Sequence, residues 1–348
     1  MIHLRIVAPE HSSHQALELL KSSDSVVNVV HMHRAAVKPD GDVILCDVAR
    51  EDVSIILSDL RELEIHRDGS IAMEIIDLEL SEYADRAEKA APGTPADAVI
   101  WEEVEARTSE ETELSSTFVA FMVLAMLIAM AGIMLDSTIL IIGAMVVGPE
   151  FGPIAGFCVS LVQGRGTLVR RSLLALAVGF PIGILVTFAV TLVLKWLDVP
   201  PESFEQGDQR FTQFIAHPDF FSFLVAFLAG MAGVLSLTSA KSGALVGVLI
   251  SVTTIPAAAN IGVAAAYTDW NEFGGALAQL GVNLGMIGLA GIGTLAIQRR
   301  YYVRRRKRHL LGPERQAAGL PYARSRRGTM VVDASRFRDD DPDDEGPA

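Results

Sequence analysis

Apolar and polar positions follow two regimes along this chain. Between residues 116 and 298 the apolar positions form long blocks, and no charged residue falls within 172–194, 242–268 or 273–298. A helix needs about 20 apolar residues to cross about 30 Å of hydrocarbon. Six segments meet that length, at 116–135, 137–163, 171–196, 220–240, 243–268 and 274–298. Buried helices of soluble proteins rarely stay uncharged for so long, so the pattern predicts six transmembrane helices.

Upstream the pattern shortens to alternations. IHLRIVA reads as a strand, SSHQALELLKSS as a helix and SVVNVVHMHRAAV as a strand. PDGD turns the chain into DVILCDVA; REDVSIILSDLREL has helical spacing, and SIAMEIIDLEL alternates again. The order βαββαβ predicts an α+β ferredoxin-like domain over residues 1–80. Residues 81–114 then form a linker around APGTPAD and an acidic helix, AVIWEEVEARTSEE, that leads into the membrane domain at 115–298. Residues 299–348 begin with a basic juxtamembrane segment and end in DDDPDDEGPA, a composition that predicts a disordered acidic tail.

Charge orients this layout. Arg165, Arg170 and Arg171 follow the second segment, Lys241 follows the fourth, and RRYYVRRRKR follows the sixth. Asp136, the acidic stretch with Asp198, Glu202, Glu205, Asp208 and Asp219, and Asp269 with Glu272 lie on the other side. Lys and Arg mark cytoplasmic loops, so both termini are expected inside a multi-pass protein of the cell membrane. The net charge of −13 averages unlike regions and does not identify a partner. Cys46 and Cys158 lie in different regimes and imply no disulfide framework. MIHLRIVAPEHSSH turns polar too early for a secretory signal.

The apolar region repeats itself. AGIMLDSTILIIGAMVVGPEFGPIAG starts at Ala131 and AGVLSLTSAKSGALVGVLISVTTIPAAANIG at Ala232. Both run AG, a polar turn, GA(M/L)V and then a proline. Each copy holds three segments, an odd number, so the second copy is expected upside down: two inverted three-helix repeats, an arrangement common in secondary transporters. Pro149 and Pro153 in the second segment and Pro256 in the fifth remove backbone bonds. Broken helices in matching positions point to a transport site, although prolines also kink packed helices without further role.

Glu150 lies between two of these prolines, about thirteen residues from either end of its segment, where a carboxylate costs a few kcal/mol unless protonated, paired or hydrated. Thr253, Thr254, Asn260 and Asn283 are polar groups able to line the same path, or to hydrogen-bond between helices. The candidate solute or ion pathway is therefore Pro149, Glu150, Pro153, Thr253, Thr254, Pro256, Asn260 and Asn283. Gly152/Gly156, Gly179/Gly183, Gly243/Gly247 and Gly281/Gly285 have GxxxG spacing for close helix approach, within one chain or in a homo-oligomer.

Other chemistry finds less support. His3, His11, His14, His31 and His33 cluster early, but no Cys, Asp or Glu set completes a metal site at ligand spacing. No phosphate-binding Gly loop, HExxH or GxSxG is present, so no catalytic residues, metal or cofactor are assigned and an enzyme is not expected. The basic run Arg299–Arg308 reads as a topology anchor able to hold anionic lipid rather than nucleic acid.

GAMVVGPEFGPIAG and AGVLSLTSAKSGALVGVLISVTTIPAAANIGVA are similar to the prokaryotic membrane family known as domain of unknown function 389, the uncharacterised hydrophobic domain family. The resemblance covers about residues 115–298 and implies the membrane architecture without a substrate. Two functions are compatible with these features. The first is a secondary transporter or channel-like permease with a midplane site between the broken second and fifth helices. The second is a membrane-anchored sensor or scaffold whose N-terminal domain binds an effector or dimerises.

Overall fold

The computed structural model describes residues 1–91, 93, 98–201, 204, 219–239, 245–310, 312, 315, 316 and 318–320, except the side chains of 245–253. The chain divides into two compact units, Met1–Ile100 with Arg299–Ala348, and Trp101–Gln298.

In the first unit the alternating segments become β1 (Ile2–Ala8), α1 (Glu10–Ser22), β2 (Val26–Val37), β3 (Asp40–Val48), α2 (Val53–Glu62), a one-turn α3 (Ile65–Asp68), β4 (Ser70–Ile75) and α4 (Glu82–Ala90). The strands form one antiparallel sheet in the order β2-β3-β1-β4. Side chains alternate across a strand. Ile2, Leu4, Ile6 and Ala8 of β1 therefore share a buried cluster with Ile44, Cys46 and Val48 of β3, packed with Leu19 and Leu20 of α1 and Val53, Ile56 and Leu60 of α2. Each such Leu, Ile or Val contributes about 1.5–3 kcal/mol by leaving water.

The last strand is shorter than the predicted SIAMEIIDLEL, and β1 explains why. Its register pairs Ile75 with Ile2, where β1 begins, the Ile76 amide donates to the Met1 carbonyl at 3.4 Å, and Leu78 and Leu80 stay exposed. Strand β2 is irregular. Met32 pairs with Val43 and Ala36 with Gly41, so His33, Arg34 and Ala35 stand opposite Asp42 alone. Arg34 takes the left-handed backbone conformation in this bulge, at φ 48°. Bulges bend a strand and re-aim its side chains.

The C-terminal part of this unit closes on α2. Asp59, fully buried, meets Arg306 Nη2 at 2.7 Å, His309 Nε2 at 2.7 Å and the guanidinium of Arg315, which also reaches Glu62 at 3.0 Å. Arg306 Nη1 donates to the Ile55 carbonyl at 2.8 Å, and Arg305 pairs with Asp52 at 2.8 Å. Burial alone would raise the Asp59 carboxyl; the hydrogen bond with His309 and the charges of Arg306 and Arg315 outweigh it and hold the group below the usual carboxylate range. The expected disordered tail lies outside the described residues.

The second unit is helical. It comprises α5 (Trp101–Glu111), α6 (Ser116–Met134), α7 (Thr138–Val147), α8 (Phe151–Gln163), α9 (Gly166–Trp196), α10 (Phe220–Thr238), α11 (Leu245–Ala266) and the part of α12 (Trp270–His309) up to Gln298. Among the described residues, α6, α9, α10 and α12 are each long and apolar enough to cross a membrane, and the bent pair α7–α8 adds a fifth crossing if counted as one. The chain is thus mostly helical, with four to five membrane-capable helices and a small N-terminal antiparallel sheet. Side-chain caps fix two of the helix starts. The Ser115 side chain accepts from the Phe118 amide, and Asp219 forms a capping box with Ser222.

Registers within this unit set helix directions. Along α6 and α9, Gly179 abuts Phe118, Gly183 abuts Met126, and Thr191 Oγ1 contacts Met130 Sδ at 3.2 Å. Both numberings rise together, so the two helices run parallel. Gly230 likewise abuts Ile287, Val234 lies beside Gly291, and Gln298 Nε2 donates to Thr238 Oγ1 at 2.9 Å, so α10 and α12 also run parallel. A β-carbon on Gly262 would come within 2.9 Å of the Ile184 carbonyl, and Lys195 Nζ donates to the Ala266 carbonyl at 3.4 Å, which makes α11 parallel to α9.

Candidate functional site

The second apolar segment is interrupted at Gly148–Pro149–Glu150. Gly148 ends α7 in extended backbone and α8 restarts at Phe151, with 52° between the two helices. Pro149 has no amide to carry the ladder across this break. Pro153 is the third residue of α8, where an amide has no intrahelical partner in any case; the first bonded amide is Ile154, to the Glu150 carbonyl at 3.2 Å. Only Pro149 therefore sits in the interruption. Pro256 lies inside α11, which is helical on both sides of it.

Glu150 is fully buried. It precedes α8 without capping it, and its Oε1 accepts a hydrogen bond of 2.8 Å from Thr254 Oγ1 on α11, itself fully buried. Two of the candidate pathway residues, 104 positions apart, thus meet. Asn260 Nδ2 donates to Glu272 at 3.2 Å, and Asn283 accepts from Gln279 at 3.3 Å in a buried pair on α12. The Thr253 side chain lies outside the described residues, as do Gly243 and the surroundings of Gly247.

One neighbour of this site is the predicted acidic helix, in a seat the sequence pattern did not assign to it. Helix α5 lies antiparallel on α8: Glu105 pairs with Arg165, Thr112 faces Gly156, and Glu111 faces Gly152. A β-carbon on Gly156 would run into Thr112 Cγ2, and one on Gly152 would meet Glu111 Cβ at 2.5 Å. The Gly152/Gly156 pair therefore admits the acidic helix, while Gly179/Gly183 admits α6. The only advance sign was the GxxxG spacing itself, which names no partner. Glu111 stands two residues from Glu150 in the facing register, and its carboxyl is raised by burial, partly offset by Arg107 and reinforced by Glu110.

In the first unit, β2 and β3 bring together groups that sequence spacing left apart. His31 Nε2 lies 2.9 Å from Asp42 Oδ2 and His33 Nδ1 lies 3.0 Å from Asp42 Oδ1. Ser13 Oγ donates to Oδ2 at 2.6 Å and the Arg34 amide to Oδ1 at 2.8 Å. Burial raises the Asp42 carboxyl, but Ser13, the Arg34 amide, His31 and the charge of His33 together hold it well below the usual range. His3 on β1 is separate, 2.6 Å from Asp47 on β3, and β3 stands between β1 and β2 in the sheet.

Comparison with known proteins agrees with the motif-level resemblance. Residues 145–289 match the family described as Domain of unknown function (DUF389). Uncharacterized protein MJ0678 of Methanocaldococcus jannaschii is 30% identical over 166 residues, which cover 47% of this chain and 49% of the relative. The chain thus spans about half the length of the curated relative it matches. No solved structure matches.

Proposed function

We propose, for a chain whose residues 145–289 carry a DUF389 domain, a six-span permease for a small solute or ion. The carrying observation is the Thr254–Glu150 hydrogen bond at a helix interruption inside the membrane-capable unit. A buried carboxylate among apolar helices is a functional group by default, and here it is held beside the amide-bearing start of α8. Protonation of Glu150, or its pairing with a cation, is the coupling event in this reading.

Six crossings are supported by direction. If α7–α8 turned back on itself, α9 would run antiparallel to α6; the parallel register fits a segment that carries the chain across. The same reasoning applies to α11 between the parallel α10 and α12. Three crossings before and three after the acidic stretch then make two inverted repeats. The N-terminal unit, with its strand order β2-β3-β1-β4, is read as ferredoxin-like and regulatory. Both termini are cytoplasmic by the basic residues, and Arg300, Arg304 and Arg308, all exposed, are the side chains for anionic lipid.

The registers also support a shallower site than counting along the segment suggests. Gly152 faces Glu111, which precedes the start of α6, and Thr254 stands two turns before Gly262 toward that same end. The site is therefore read as opening toward the cytoplasm, the side of α5. The test is cysteine accessibility at Glu150→Cys and Asn260→Cys in full-length protein with Cys46 and Cys158 replaced by Ala. A membrane-impermeant thiol reagent is applied from each side in turn, with Gly164→Cys as the exposed cytoplasmic control. Glu150→Cys is expected to react from the cytoplasmic side. Silence at both positions while Gly164→Cys reacts would mean a dry core and end the permease reading.

A further inference from the structure

We infer that His31, His33 and Asp42 form a binding site for a divalent transition-metal ion of the zinc type on the β2–β3 hairpin. The three residues each offer one ligand atom, and these atoms lie within 4.8 Å of one another. Two imidazoles and one carboxylate are borderline donors, suited to zinc, cobalt or nickel; magnesium and calcium favour all-oxygen shells.

The backbone explains why these side chains converge. His31 and His33 are two apart on β2 and so share a face. A regular strand would pair one residue with Asp42, whereas three, His33 to Ala35, stand opposite it here. The bulge wraps β2 around the carboxylate, so that one imidazole reaches each oxygen. Asp42 is held from behind by Ser13 Oγ at 2.6 Å and the Arg34 amide at 2.8 Å. Such outer partners fix ligand orientation in metal sites. The Asp42 side chain is 6% exposed while those of His31 and His33 are 33% and 64% exposed. The carboxylate is thus the floor, the imidazoles are the walls, and water has access from outside to complete a tetrahedral shell. Without metal the His31 ring is hydrogen-bonded to the carboxylate and His33 Nδ1 stands 3.0 Å from its other oxygen; with metal the ion takes the place of those two contacts.

The experiment is titration of tag-free, chelator-treated full-length protein in detergent with zinc, read by calorimetry, and with cobalt, read by visible absorption. Wild type and His66→Gln, an exposed histidine elsewhere in the same unit, are expected to take up one equivalent per chain. His33→Gln and His31→Gln are expected to weaken uptake at least about ten-fold, and Ser13→Ala to weaken it by a smaller factor. Unchanged circular dichroism of His33→Gln, whose side chain is exposed, separates loss of a ligand from loss of fold. Absence of saturable uptake, equal uptake by the wild type and both ligand variants, or displacement of zinc by excess magnesium or calcium would each overturn the site.

Discussion

Two acidic residues show how a single side chain acts in each unit. Glu150 and Thr254 are joined by one hydrogen bond between helices, and such bonds contribute about 0.6–2 kcal/mol in membranes. Thr254→Val is expected to lower thermal stability in detergent by that amount, and the Thr254→Val, Glu150→Ala double variant to lose less than the sum of the two single variants. Additive losses in this double-mutant cycle would mean that the two residues are not coupled. Asp59 is the other case. Its carboxyl is depressed in the folded state, so it stabilises above the ordinary carboxylate range, near pH 4, and that contribution is lost as pH falls through the folded value. Asp59→Asn leaves two guanidinium groups and the His309 imidazole facing an uncharged amide, and removing one member of a buried set costs about 3–5 kcal/mol. Denaturant unfolding of wild type at pH 7 and pH 3 should differ, and Asp59→Asn should flatten that difference; a variant as acid-sensitive as wild type would remove Asp59 as its source. Glu150 and Thr254 were legible in the sequence because a carboxylate and a hydroxyl stand out among apolar neighbours. Asp42 and Asp59 were not, because polar residues in amphipathic segments look solvated until distant chain covers them.

At the scale of elements, apolar length was readable and packing partners were not. The starts of α6 and α10 follow from Ser115 and Asp219, whose side chains bond the first-turn amides. β4 ends early for a reason that lies in β1, outside its own alternation. The prolines look alike on paper, yet Pro149 sits in a break, Pro153 in a first turn and Pro256 inside a helix, since what a proline does depends on which carbonyl would have received its amide. Helix α5 was legible as an acidic helix, and its seat on α8 was not, because glycine spacing marks a gap without saying what fills it. Gly156→Val tests that seat. Its branched side chain would enter the space of Thr112 Cγ2, and overpacking of this kind costs about 1–3 kcal/mol. The melting temperature in detergent is expected to fall accordingly, and Thr112→Ala in the same chain to restore part of it. A Gly156→Val protein as stable as wild type would mean that α5 leaves α8 at little cost.

For the whole molecule, the first unit is assembled from both ends of the chain. Residues 1–100 and the residues from 299 onward belong to it, with every membrane-capable helix start lying between them in sequence. The cluster that contains β1 and α1 also contains Ala318 and Leu320, and the side chains around Asp59 come from positions 306, 309 and 315. A ribosome therefore releases the acidic half of this lock first and the basic half only after the last apolar helix has been made. Until then α2 keeps its receiving face open, with Asp59 in water. A nascent chain that stops before residue 306 cannot supply Arg306, His309 or Arg315 to Asp59. Closure of the sheet domain therefore waits until residues 306–320 have been made, long after its own strands and helices.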